Sequence, residues 1–275
     1  MKEQISFSHY SVLLNECIEG LAIRPNGIYI DGTAGGAGHS SVIASHLGKG
    51  GKLLALDQDA TAVAVATERL ARFGERAEVV HSNFCELAKV CADRGIERID
   101  GLLLDLGVSS YQLDTAERGF SYRSDAPLDM RMDESKQITA KQIVNEYSEE
   151  ALRRILFEYG EERFSSRIAS NIIRARHTAP IETTGELVEI IKRSVPARHG
   201  DGGHHPAMRT FQALRIEVNA ELDVIAPAIK SAVSLLNKGG RIVIITFHSL
   251  EDRIVKQTFN PLAGGCTCPK NFPVC

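Results

Sequence analysis

Along the first hundred residues, short apolar runs alternate with segments of helical period. Strands are predicted at Ile28–Asp31, Lys52–Asp57, Ala77–His81 and Asp100–Asp105, each rich in Ile, Leu or Val. Between them, His39–Leu47, Ala60–Phe73 and Phe84–Arg94 carry the apolar spacing of helices. Repeated β–α units predict a parallel sheet covered by helices and joined by right-handed crossovers. Beyond Leu106 the pattern changes. Gly107–Asp133 is polar and turn-rich and predicts a long ordered loop, and Ile138–Val195 predicts several helices without a strand. Thr183 and Glu186 have the spacing of a capping box. After a loop, Pro196–Pro206, a long helix is predicted over Ala207–Leu236, interrupted or kinked around Pro227. Lys238-Gly239-Gly240 ends it, Arg241–Phe247 reads as a fifth strand and Leu250–Thr258 as a last helix. The expected architecture is α/β: a strand-and-helix domain over 1–106 and 207–275, interrupted by a loop and helical subdomain over 107–206.

The first strand leads into Gly32-Thr33-Ala34-Gly35-Gly36-Ala37-Gly38, where four glycines let the backbone turn sharply and approach a ligand. The second strand closes on Asp57. A glycine turn after one strand and an acid ending the next is how nucleotide-binding α/β units hold a ribose. The glycine spacing is not G-x-G-x-x-G, and Asp31 precedes the turn. A carboxylate there repels a pyrophosphate but pairs with an ammonium, which favours S-adenosylmethionine over a dinucleotide. Asp31, Asp57 and Asp105 all fall at strand carboxyl ends, where ligands of such sheets bind.

Two further segments carry chemistry. Asp105 closes the fourth strand, with Ser109 and Ser110 following; its plain structural reading is an Asp capping a turn. Thr246-Phe247-His248-Ser249 gathers an aromatic, an imidazole and a hydroxyl at the end of the fifth strand, suited to a base pocket. Equally, Ser249 could be an N-cap with Asp252 as its reciprocal partner.

Charge and cysteine content narrow the picture little. The formal net charge is −3, yet Ala151–Arg215 holds eleven Arg/Lys against seven Asp/Glu, a local excess of four positive charges. That segment is either a phosphate-facing surface or a solvated helical face. No apolar run is long enough to span a bilayer, and the first twenty residues lack a secretory core, so a cytoplasmic protein is expected. Cys17, Cys85 and Cys91 are expected to be reduced thiols, and the tail cysteines Cys266, Cys268 and Cys275 lack a fourth ligand, so no metal is expected.

Several blocks resemble the RsmH (MraW) family of ribosomal RNA N4-cytosine methyltransferases. They are His9–Leu14, the glycine turn, Leu102–Leu113, Arg118–Tyr122, Pro127–Asp133, Tyr159–Arg163, His205–Ala207, Arg209–Ile216 and Phe247–Arg253. The resemblance covers nearly the whole chain. It implies a class I methyltransferase (Rossmann-like) sheet with an inserted helical subdomain for substrate recognition. It also implies S-adenosyl-L-methionine as cofactor, and as substrate a cytosine in the decoding region of small-subunit (16S) ribosomal RNA, free or in the 30S subunit. A homodimer stays open. Carried over by motif, cofactor contacts fall on Ala37, Gly38, His39, Asp57, Phe84, Asp105 and Gln112. Three features depart from the family. Ala37 stands where glycine is usual, a mild change if its φ is negative. Thr246 replaces serine, and the chain stops at Cys275 where a basic tail normally follows, which suggests truncation.

Methyl transfer from a sulfonium is an in-line displacement, so the protein mainly positions reactants and shapes the field around them. Asp105, aided by Ser109, is expected to accept a hydrogen bond from the cytosine N4 amine; holding the cofactor ammonium is its alternative role. Phe120, Tyr122 and Phe247 are candidates to stack on an extruded base. Three rival readings stand beside this one. C5 methylation needs a cysteine thiolate, which the fourth-strand segment lacks. A dehydrogenase is disfavoured by the glycine spacing, and a non-catalytic RNA-binding module is the third.

Overall fold

The computed structural model describes residues 11–196, 205–264 and 268. The chain divides into two compact units, one formed up to Gly107 and from Leu222 onward, the other by Val108–Glu221. In chain order the first unit contains α1 (Leu14–Leu21), β1 (Ile28–Asp31), α2 (Gly38–His46), β2 (Lys52–Asp57), α3 (Ala60–Leu70), β3 (Ala77–His81), α4 (Leu87–Ala92) and β4 (Ile99–Asp105). The second contributes α5 (Ser110–Asp114), α6 (Ala140–Glu146), α7 (Glu149–Glu158), α8 (Ser165–Arg176), α9 (Thr184–Ser194) and α10 (Met208–Asn219). The chain then returns to the first unit through α11 (Ile225–Leu235), β5 (Leu236–Ile245) and α12 (Ser249–Leu262).

The five strands form one parallel sheet in the order β3-β2-β1-β4-β5, the arrangement of a Rossmann-like α/β domain. Side chains alternate across it. Ile30, Leu54, Leu56, Leu102 and Leu104 point to one face and pack with Leu87, Val90, Ile229 and Ala232 of α4 and α11. Tyr29, Leu53 and Leu103 point to the other, against Cys17 and Leu21 of α1 and Ile43 and Ala44 of α2. Burial on both faces is why these strands read as continuous apolar runs. The free thiols Cys17 and Cys91 are buried in these cores, and burial pushes the Cys17 thiol up to about 11.

The second unit has its own core of Ile143, Leu152, Ile155, Ile168, Ile172, Leu187, Ile191, Phe211 and Leu214. Helix α10 contributes Phe211, Ala213, Leu214 and Val218 to it, so the unit ends at Glu221 where the hydrophobic pattern alone placed the return at 207. The expected capping box is present: Thr183 Oγ1 accepts from the Glu186 amide, and the Glu186 carboxylate accepts from the Thr183 amide.

Two expectations are corrected. The helical stretch is not kinked at Pro227 but broken at Ala220, whose φ of 53° terminates α10. Pro227 lies in the first turn of α11, where its missing N–H would have had no partner anyway. The loop predicted over Gly107–Asp133 also contains α5 and a 3-10 turn at Ala116–Arg118. Among the described residues, no helix is long and apolar enough to cross a membrane. Cys266 and Cys275 lie outside them.

Candidate active site

The sheet builds the site by ending its strands at different heights. Asp31 pairs in register with Ala55 of β2 and Leu103 of β4, so β2 and β4 run two residues beyond β1 before closing on Asp57 and Asp105. Two strand residues are roughly 7 Å, and two strand spacings roughly 10 Å, so two carboxylates flank a notch above the end of β1. This is where the strand order reverses, the ligand position of open α/β sheets.

The glycine turn crosses between those walls. Gly32 N–H donates to the Leu103 carbonyl at 2.9 Å and Ala34 N–H to the Leu56 carbonyl at 2.9 Å. A Cβ on Gly32 would lie 2.5 Å from a Leu104 methyl and 2.9 Å from Phe84 Cβ, so only glycine lets the turn sit this low. Ala37, at the N-cap of α2, has a φ of 59°. Its backbone therefore lies in the left-handed region, so the condition for a mild departure is not met. No side chain caps α2 there, and its first amides remain donors.

Asp57 staples the turn. Its Oδ2 accepts from Gly35 N–H at 2.8 Å and its Oδ1 from Asp59 N–H at 2.9 Å. Burial pushes its carboxyl up to about 6 against the pull of those two amides. Asp31 is fully buried; Ser40 Oγ donates to it at 2.6 Å and Thr33 N–H at 3.1 Å, while burial holds its carboxyl above the usual range. Thr33 Oγ1 in turn accepts from Asp105 N–H at 2.7 Å.

Asp105 is differently placed. Its Oδ2 lies 3.9 Å from His39 Nδ1, and its Oδ1 is buried without a hydrogen-bond partner. Burial pushes this carboxyl up to about 6; His39 opposes the shift, and Asp31 and Glu251 add to it. His39 is itself buried, with Nε2 3.0 Å from the Val12 carbonyl. A carbonyl only accepts, so Nε2 carries a proton and Nδ1 is the nitrogen turned toward Asp105. Beyond β5, buried Glu251 accepts from Phe247 N–H at 2.8 Å and His248 N–H at 3.3 Å. The N-cap of α12 is therefore His248 with Glu251 as its partner, one residue before the Ser249–Asp252 pair that the sequence offered.

The sheet unit thus brings together Ala37, Gly38, His39, Asp57, Phe84 and Asp105. Ser109 and Gln112 belong to the second unit, where they cap α5 reciprocally: Ser109 Oγ accepts from Gln112 N–H, and Gln112 Oε1 from Ser109 N–H at 3.0 Å. Of the stacking candidates, Phe120 is buried in the helical core and Phe247 is 56% exposed. The Tyr122 ring lies flat on His205, with centroids 4.5 Å apart. The sequence reading left Thr33, Ser40 and Glu251 out of the site; each acts by holding a carboxylate or a strand end, a role set by tertiary packing.

This set suits a cation. Three carboxylates and a buried acceptor without a donor would be costly as a finished structure. Residues 6–275 match the MraW methylase family. The chain belongs to that family. Its relatives include the ribosomal RNA small subunit methyltransferase H of Lachnospira eligens, 56% identical, with 98% of this chain and 86% of that protein covered. Ribosomal RNA small subunit methyltransferase H 2 of Agathobacter rectalis is 56% identical over 98% of the chain and 87% of its own length. The Brevibacillus brevis methyltransferase H is 54% identical over 98% and 86%. The chain is thus a methyltransferase by family, and S-adenosylmethionine is the cofactor its sequence implies. The residues present fit that cofactor: a cationic donor would satisfy Asp105 Oδ1, and ribose hydroxyls can reach the remaining lone pairs of Asp57.

Proposed function

We propose that the protein methylates the N4 amine of a cytosine in the decoding region of small-subunit (16S) ribosomal RNA. The observation that carries this reading is the buried, unpartnered Oδ1 of Asp105 at the tip of β4, an acceptor waiting for a donor. The small-subunit substrate rests on relatives of more than half identity that bear that name. Choice of N4 rests on the family resemblance and on the chemistry of the site. The amine lone pair is delocalised into the ring, and a carboxylate accepting its N–H favours a pyramidal, nucleophilic nitrogen.

S-adenosylmethionine supplies an electrophilic methyl on a sulfonium. Asp57 would hold the ribose, the uncapped amides at the start of α2 would receive the carboxylate of the amino-acid tail, and Phe84 would face the adenine. Ala37, Gly38 and His39 line the same turn. Asp105 orients the amine and accepts its proton as the new N–C bond forms; His39, fixed by the Val12 carbonyl, stands 3.9 Å from that carboxylate. Ser109, as the N-cap of α5, orders the chain just after Asp105. Phe247, the exposed ring beyond β5, is available to stack on the extruded base.

The test is mass-spectrometric mapping of methylcytosine in ribosomal RNA from cells with and without the gene. One N4-methylcytosine in the small-subunit RNA should disappear with the gene and return when it is restored. An unchanged methylation map would refute the reading.

A further inference from the structure

The helical unit holds a feature that the transfer chemistry does not use. Helices α8 and α9 enclose a groove of about 860 Å³ whose lining includes Arg167, Ser170, Asn171, Arg174 and Thr178 from the α8 side and Arg193 from α9. No carboxylate lines it. Arg167 and Arg174 are seven residues apart on one helix face, roughly 10 Å along the axis, with Ser170 and Asn171 between them.

Simple helix electrostatics does not account for this set. Arg174 and Arg193 sit in the last turns of their helices, where cations complement the dipole. Arg167 is the third residue of α8, where the dipole disfavours a cation. Among the described residues, none of the three makes a salt bridge. The nearest acid along α9, Glu189, is held by Lys192 at 2.9 Å. All three arginines are exposed. The floor between the helices is nevertheless ordered: Asn171 Nδ2 donates to Ser194 Oγ at 2.8 Å, and Arg174 Nη1 donates to Asn171 Oδ1 at 3.1 Å.

We propose that this groove binds the phosphodiester backbone of the RNA substrate, with Arg167, Arg174 and Arg193 on phosphate oxygens and Ser170 and Thr178 as added donors. Exposed guanidiniums beside hydroxyl and amide groups are the donor set that positions a nucleic-acid strand without reading its bases. This inference rests on the proposed RNA substrate. It assigns the excess positive charge of Ala151–Arg215 a place and a job, on a chain whose net charge is −3.

The test compares the full chain with the triple variant R167Q/R174Q/R193Q, using unmodified small-subunit RNA transcribed in vitro. Substitution at exposed positions keeps the fold, which thermal unfolding checks. A control variant, R72Q/R98Q/K230Q, removes the same charge from the sheet unit. Three lost contacts should lower the slope of log affinity against log salt by about 2, at ~0.7 per single-strand contact. The KM for RNA should rise at least tenfold, with kcat and S-adenosylmethionine affinity unchanged. Wild-type slope and KM in the groove variant, or an equal loss in the control, would overturn the proposal. Failure of the wild type to methylate either this RNA or unmodified 30S subunits would instead refute the substrate reading, while the slopes still judge the groove.

Discussion

The two units carry charge in opposite ways. The sheet unit buries carboxylates: Asp31 entirely, Asp57 and Asp105 largely, all at strand ends and all with carboxyls raised by burial. The helical unit exposes guanidiniums around a groove free of acids. A buried anion acts at short range on one small cation, because low dielectric strengthens the pairing. Exposed cations act on a long polyanion, weakly per contact and in a salt-dependent way. On the proposed reading, one chain separates recognition of a cationic nucleoside from recognition of a strand, and each can be broken alone.

The largest effect is expected at Asp105. Asp105→Asn keeps the shape but cannot accept a proton, and labelled methyl transfer should fall by a factor of about 10² to 10⁴. RNA affinity should not change, which filter binding would show. Next comes Asp57→Ala, which removes the proposed ribose acceptor and orphans the amides of Gly35 and Asp59. At about 1–3 kcal/mol for each unsatisfied donor, cofactor binding measured by calorimetry should weaken at least tenfold.

A third effect concerns pH. Folding raises the Asp57 and Asp105 carboxyls to about 6, so the folded state binds protons more tightly than the unfolded chain. They therefore cost stability above pH 6, and that cost is relieved as pH falls from 6 toward 4. Asp105→Asn should accordingly melt higher than the wild type at pH 7.5, by on the order of 2 kcal/mol, with the gap closing near pH 4. A cation binds the ionised carboxylate, so S-adenosylmethionine affinity should weaken as pH drops through 6. Equal melting of both proteins at pH 7.5 would contradict the strain assigned to this acid. The smallest effect is at Ala37, where Ala37→Gly relieves the left-handed backbone and should stabilise the sheet unit by about 1 kcal/mol in thermal unfolding.

Legibility from sequence followed the range of the forces involved. Strands β1 and β2 match their predicted limits because burial on both faces writes itself as a continuous apolar run, while the half-buried edge strand β3 was legible from its Val79-Val80 pair. The strand-end acids were visible for the same reason. Strand β5 differs from its predicted span Arg241–Phe247 at both ends: it begins at Leu236, which pairs with Ile99, passes Lys238-Gly239-Gly240 in a register irregularity that looks like a stop, and ends at Ile245. Pro227 carried a stronger breaking signal than Ala220, yet the break lies at Ala220, whose left-handed backbone has no glycine to announce it. Ser109 and Gln112 show the S-x-x-Q spacing of a capping box, and their local pairing was readable there. The burial of Phe120 and the membership of α10 in the helical core depend on long-range packing, which one chain in one dimension does not display.

The central claim is that the notch between Asp57 and Asp105 was shaped for a cationic sulfur nucleoside. The most direct measurement is a crystal structure of the full chain with S-adenosylmethionine. The account predicts the ribose against Asp57 and a cationic group beside Asp105 Oδ1. Density for the nucleoside elsewhere on the chain, with Asp105 Oδ1 still lacking a donor, would contradict it.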